Sequence, residues 1–189
     1  MLIQWTDEFH PIILYDSERI KGFSFNQSTQ RFLIKVGLPR DAAPFISFVK
    51  NNNVQYEGIL RLTDYFDFLE AKYSKYVVIG SNGNGDEIVI DTRDDCRIKL
   101  LDHEDSFSEQ LINSSIQQLC SSLMIYQDFI DCIIEENGED AFIDSIFNDN
   151  HLSDLTQRLT GNDLQAMGEN CFWLQEINML IANREEMSK

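Results

Sequence analysis

Lys75-Tyr-Val-Val-Ile-Gly-Ser-Asn-Gly-Asn-Gly-Asp-Glu-Ile-Val-Ile-Asp91 is the stretch from which the fold is read. Lys75 to Gly80 is rich in β-branched and aromatic side chains, which suit a pleated, half-buried strand. Ser81 to Asp86 holds two Asn-Gly steps, and that dipeptide adopts the positive φ of a tight reversal. Glu87 to Asp91 is then the returning strand, Thr92 to Asp95 a second turn, and Arg97 to Leu101 a third strand. The centre of the chain therefore predicts an antiparallel meander. Glu87, Val89 and Asp91 alternate with Ile88 and Ile90, which predicts one polar and one buried face.

Downstream, a long helix is predicted to follow at once. Ser106-Phe-Ser-Glu109 matches a capping box, in which a hydroxyl and a carboxylate satisfy free N–H groups. Apolar residues recur at Ile112, Ile116, Leu119, Leu123, Tyr126, Ile130 and Ile133, a continuous helical stripe that ends near Asn137-Gly138. The spacing also fits a coiled coil, but one helix packed on a sheet is the simpler reading. Shorter helices are predicted over Asp140 to Phe147 and Leu152 to Leu159. A last one over Cys171 to Arg184 places Trp173, Ile177, Leu180 and Ile181 on one face.

Upstream, Pro11 to Tyr15 is apolar and reads as a strand or extended arm. Asn26 to Val36 is a short helix that Ser28 or Thr29 can cap, stopped by Gly37 and Pro39. Phe45 to Val49 and Gly58 to Leu62 are strand-like. A sheet in the middle with helices behind it is α+β: a central antiparallel β-sheet flanked by helices. At 189 residues the chain suits a single domain over 1–189, with a helical C-terminal extension from about 138.

Charge is distributed unevenly. The chain carries a net −17, yet its first 99 residues hold 14 acids against 12 bases. Residues 100–157 carry 13 Asp and Glu and no Lys or Arg. Such a field attracts cationic partners and repels nucleic acid and anionic membrane, although a solvated acidic face is the plainer account of it. The N-terminus has acids where a leader peptide needs bases, and no apolar run approaches membrane-span length. A soluble, cytoplasmic protein is expected. Cys96, Cys120, Cys132 and Cys171 form no C-x-x-C pair, which fits reduced thiols. Cys120 and Cys132 fall in the helical pattern, where small apolar burial is the usual role.

No chemistry is assembled by motif. The glycine-rich loop ending at Asp86 leads into a strand, whereas phosphate binding needs a helix N-terminus there. Its Asn82, Asn84 and Asp86 lack the glycine and the final Glu of a calcium loop, those positions being Glu87 and Arg93. His103-Glu104-Asp105 lacks a second histidine at ligand spacing, since His10 and His151 are remote. Its carboxylates read better as partners for the positive end of the long helix. Asp94 and Asp95 have no identifiable base or nucleophile beside them. No catalytic, cofactor-binding or metal-binding residue is assigned, and the protein is read as a non-enzyme.

Two acidic segments invite an interface reading. Asp64-Tyr-Phe-Asp-Phe-Leu-Glu70 interleaves aromatics with acids, as interface anchors do, though core rings would give the same pattern. Asp128 to Asp144 surrounds the C-terminal end of the long helix with acids, where anions oppose the dipole.

From about Thr29 to Ile130 the chain resembles the SUKH superfamily, most closely its fourth group of bacterial immunity proteins. The resemblance is carried by Phe32-Leu-Ile-Lys-Val-Gly-Leu-Pro39, by Tyr76 to Asp86, and by Ile88-Val-Ile-Asp91. It continues through Leu100-Leu-Asp-His-Glu-Asp105 and through Phe107 to Tyr126, which contains Ile112-Asn-Ser-Ser115. It implies an α+β domain that binds and neutralises a cognate toxin domain. Toxins opposed by this superfamily are often nucleases or deaminases with basic clefts, which an acidic surface suits. The partner-binding residues expected are Glu135, Glu136, Glu139 and Asp140, then Asp102, Glu104 and Asp105, with Asp64 and Asp67. A basic toxin is the expected partner, with neither nucleic acid nor membrane. Two other readings stand: a regulatory scaffold of the same fold, and a ligand- or metal-binding domain using the Asn-Gly loop.

Overall fold

A computed structural model describes Trp5, Thr6, Phe9 and residues 11–51 and 58–187. The chain begins with β1 (Ile12–Ile13), α1 (Ser17–Lys21), α2 (Gln27–Lys35), β2 (Leu38–Pro39), β3 (Asp41–Ala42) and β4 (Ile46–Phe48). Next come β5 (Leu60–Arg61), α3 (Leu62–Tyr65) and a 3-10 turn at Ala71–Lys75. The meander is β6 (Tyr76–Ser81), β7 (Glu87–Asp91), β8 (Arg97–Asp102) and β9 (Ser108–Asn113). The chain then continues through α4 (Ile116–Asn137), α5 (Asp149–Asn162) and α6 (Phe172–Met187). The main sheet runs β3-β4-β6-β7-β8-β9, with β5 also paired to β6. Its pairings are antiparallel, so the α+β reading holds. Gly80 is required where β4 crosses β6, because a Cβ there would lie 2.4 Å from the Ser47 carbonyl oxygen.

The long helix does not begin where its apparent capping box lies. Ser108 to Asn113 is a fourth meander strand paired to β8. The helix starts at Ile116, and the Ser115 hydroxyl accepts the Gln118 N–H at 3.2 Å. The apolar stripe misled because Ile112, on a strand, faces the same core as the helical residues after it. His103-Glu104-Asp105 consequently occupies a hairpin turn rather than a helix N-terminus. Three further expectations need correction. Asn26, not Ser28 or Thr29, caps α2, its side chain accepting the Thr29 N–H at 2.9 Å. Asp140 to Phe147 forms successive turns after Gly138, whose φ of +104° breaks the helix. Cys120 is buried as expected, but Cys132 is exposed.

Both faces of the meander are covered. On one, Val77, Ile79, Ile88, Ile90 and Ile98 join the core residues of α4, α5 and α6. On the other, Tyr76, Val78, Val89 and Leu101 pack with Leu62, Tyr65, Phe66, Leu69, Tyr73 and Phe107. The expected polar face of β7 is therefore wrong for Val89 and Asp91, whose side chains are buried. The segment from α3 to the 3-10 turn covers it.

Two polar clusters lock this frame. Asp91 takes Lys75 and Lys99 at 2.9 Å each, and Lys99 also reaches Asp94 at 2.9 Å and Glu109 at 2.5 Å. Burial pushes the Asp91 carboxyl up, but hydrogen bonds from Lys99 and Lys75 outweigh it and hold the group below its ordinary range. The second cluster sits where β9 passes into α4. Asp163 accepts the Ser114 N–H at 2.7 Å, the Ser114 hydroxyl at 2.9 Å and the Asn113 amide at 3.2 Å. Asn113 in turn accepts the Trp173 indole N–H at 3.0 Å. The Asn-Ser-Ser segment thus ties β9, α4, α5 and α6 together.

Candidate interaction surfaces

The sheet brings three turns to one end: 43–45 between β3 and β4, 82–86 between β6 and β7, and 103–107 between β8 and β9. This follows from pairing, since Ser47 faces Ser81 and Glu87 faces Leu101. Phe45 sits in the first turn with a φ of +55° and lies against Gly83 of the second, where a Cβ would approach its own Cβ to 3.3 Å. The second turn is braced internally. The Asn82 side-chain oxygen accepts the Asn84 and Asp86 N–H groups, and its amide donates to Asp86 at 3.0 Å. Asp86 then joins the third turn through His103 Nδ1 at 2.8 Å. The side chains of Asn82 and Asp86 are thus engaged within the turns themselves.

In the third turn the Asp102 carboxylate accepts the Glu104 and Asp105 N–H groups at 2.9 and 3.1 Å, and both of those carboxylates point to solvent. Phe107 follows, and its ring lies 5.5 Å from Phe66, which lies 5.8 Å from Phe68. This connects the turn to the segment carrying Asp64 and Asp67, so the structure brings together two acidic groups that are about 40 residues apart in sequence. The aromatic-acid segment is divided. Tyr65 and Phe66 are half-buried in the second face of the sheet, whereas Phe68 remains 75% exposed.

Glu135, Glu136, Glu139 and Asp140 form a separate acidic group at the C-terminal end of α4, all exposed. Their neighbourhood is partly neutralised within the chain. Glu136 bonds His151 Nε2 at 3.0 Å, Arg158 bonds Asp128 at 2.5 Å, and Arg184 bonds Asp149 at 2.7 Å. Cys132, Glu136 and His151 lie close enough to suggest a metal triad. However, His151 Nδ1 accepts the Asn148 N–H at 3.3 Å, which leaves the proton on Nε2 to meet Glu136. The trio is best described as a brace for the start of α5. His10 lies outside the described residues.

Glu87, like Glu176, is a half-buried carboxyl that the sequence does not single out. Burial against the Tyr65 side of the second face pushes its carboxyl up to about 7, opposed by His103 and reinforced by Asp86. Because the folded chain holds this proton more tightly than the unfolded chain, Glu87 costs stability as pH rises from 4.5 to about 7. Glu87→Gln should therefore raise the melting temperature by about 2–4 °C at pH 8 and leave it unchanged near pH 4. Calorimetric scans at the two pH values check this.

The fold and these surfaces describe an α+β protein that displays carboxylates and aromatic rings on its turns. The chain belongs to the SUKH-4 immunity protein family, whose model matches residues 9–179. The match extends well past the resemblance seen from Thr29 to Ile130, and takes in α5 and part of α6. Neither a curated protein nor a solved structure matches the chain. Family membership points to immunity against a toxin as the role and to a toxin as the partner. Among the described residues no helix is long and apolar enough to cross a membrane.

Proposed function

We propose that this chain is a non-enzymatic, cytoplasmic inhibitor that neutralises a basic toxin domain, such as a nuclease or deaminase, by presenting carboxylates to its cationic cleft. The observation that supports this is the family match together with the solvent exposure of every acid assigned to the interface. Asp64, Asp67, Asp102, Glu104, Asp105, Glu135, Glu136, Glu139 and Asp140 are all exposed. In this proposal residues 1–189 act as one domain, which is supported by the core that Leu155, Trp173 and Ile177 of the C-terminal helices share with the sheet. The rigid frame holds the acids in place, and their charge steers encounter and fixes orientation.

The test is growth rescue. Co-expression of the chain with the toxin domain encoded beside it should protect cells, and failure to protect would refute the reading. Glu135→Lys with Glu136→Lys should slow association by about tenfold and flatten its salt dependence, as surface-plasmon kinetics at several ionic strengths would show.

A further inference from the structure

The geometry points to the surface bearing Phe45, the 103–107 turn and Phe68 as the docking site, and to an arginine- or lysine-bearing protein segment as its occupant. This rests on the immunity reading and deepens it by naming the surface that seats the partner's cationic side chains, the α4 acids contributing to long-range encounter.

Phe45 and Phe68 are 85% and 75% exposed, more than any other ring among the described residues. An isolated exposed ring is unremarkable, but Phe45 also holds a left-handed φ of +55°, which a bulky residue rarely adopts. That backbone turns the ring out into water, and the apolar area it exposes there gains when a partner covers it. Charge identifies what covers it. Residues 62–70, 81–87 and 101–109 hold nine acids. Glu70 pairs with Lys72, Glu109 with Lys75 and Lys99, and Asp86 with His103, while Glu87 is partly buried. This leaves Asp64, Asp67, Asp102, Glu104 and Asp105 exposed to meet a cation. Contacts join these segments into one surface: Gly83 under Phe45, Asp86 on His103, and Phe107 on Phe66 on Phe68. A guanidinium or ammonium fits both parts, since carboxylates pair with it and ring faces attract it. The α4 end exposes Ile143 rather than a ring, so its carboxylates have no aromatic face beside them to hold a cation.

The probe is hexa-arginine amide, titrated into the full-length 15N-labelled chain and followed by amide shifts. The expected shifts fall in 45–47, 64–69, 83–87 and 102–107. Phe45→Ala with Phe68→Ala should weaken binding by about tenfold, while reversal of two exposed acids outside both groups, Glu185→Lys with Glu186→Lys, should change it by less than about twofold. Both rings are exposed, so the double alanine variant should melt with the parent chain. Shifts centred on 131–144, shifts spread over all the acids, or no saturable binding would each overturn the proposal. Growth rescue separates the two levels. Full protection by the double alanine variant, with protection lost on reversal at Glu135 and Glu136, overturns this docking site and leaves the immunity reading standing.

Discussion

Asp91→Asn is expected to lower the melting temperature by about 10 °C, among the largest effects of any single polar substitution in the chain. The Asp91 side chain is 1% exposed and neutralises Lys75 and Lys99, which are themselves 24% and 10% exposed. Removing its charge leaves two half-buried ammonium groups sharing Glu109 and Asp94. Breaking one partner of a buried ion pair costs about 3–5 kcal/mol, and the same pair replaced by apolar groups costs far less. Asp91→Leu combined with Lys99→Met should accordingly recover much of the loss. Acid sensitivity supplies an independent check. Since the lysines hold the folded carboxyl below its ordinary value of 3.8, its contribution is present above that pH and is lost as pH falls through the folded value. The Asn variant should show a shallower decline below pH 4 than the parent chain. Calorimetry from pH 2 to 7 reads both effects, and an Asn variant as stable as its parent would show that the lysines are held by their other carboxylates.

Asp163→Ala carries the second large effect, a loss of about 3 kcal/mol in chemical denaturation. Asp163 is 3% exposed, and its removal strands the Ser114 N–H and hydroxyl and leaves the Asn113 amide with Ser122 as its remaining acceptor. Each buried donor left without an acceptor costs about 1–3 kcal/mol, while relaxation or an entering water recovers part of the sum. Trp173→Phe is the graded control. It removes the indole donor to Asn113 but keeps most of the ring volume, and should cost about 1 kcal/mol. The decisive result is the order of the two: Trp173→Phe more harmful than Asp163→Ala would place the weight on ring packing rather than on the carboxylate.

How far the fold was legible depended on where local and global signals agreed. The Asn-Gly turn, the Glu87–Asp91 strand and the α4 stripe from Ile116 to Ile133 each carry a local period that tertiary packing reinforces. The fourth strand was missed because Ser106-Phe-Ser-Glu109 satisfies a helix-start pattern while Ser108 to Asn113 pairs at long range with β8, and pairing leaves no mark in a short window. The buried side of Asp91 was missed for a related reason. Alternation shows which residues share a face, not whether a remote segment such as Leu62 to Tyr73 will cover it. At the surfaces, the acids and the Phe68 segment were visible in composition. Phe45 was not, because its exposure and its left-handed backbone follow from the three-dimensional turn alone.

The margins of the sheet decide what kind of recognition is open to this chain. β3 is only two residues long, and β9 is covered by α6, with Gln110 donating to the Asn170 carbonyl at 3.2 Å and to Gln175 at 2.6 Å. These margins offer a visiting backbone little ladder to extend, in contrast to long open borders. On the docking surface proposed above, discrimination falls to side chains projecting from reversals, where substitution disturbs little else. Such a chassis can change allegiance by altering a few tips while its interior stays as it is.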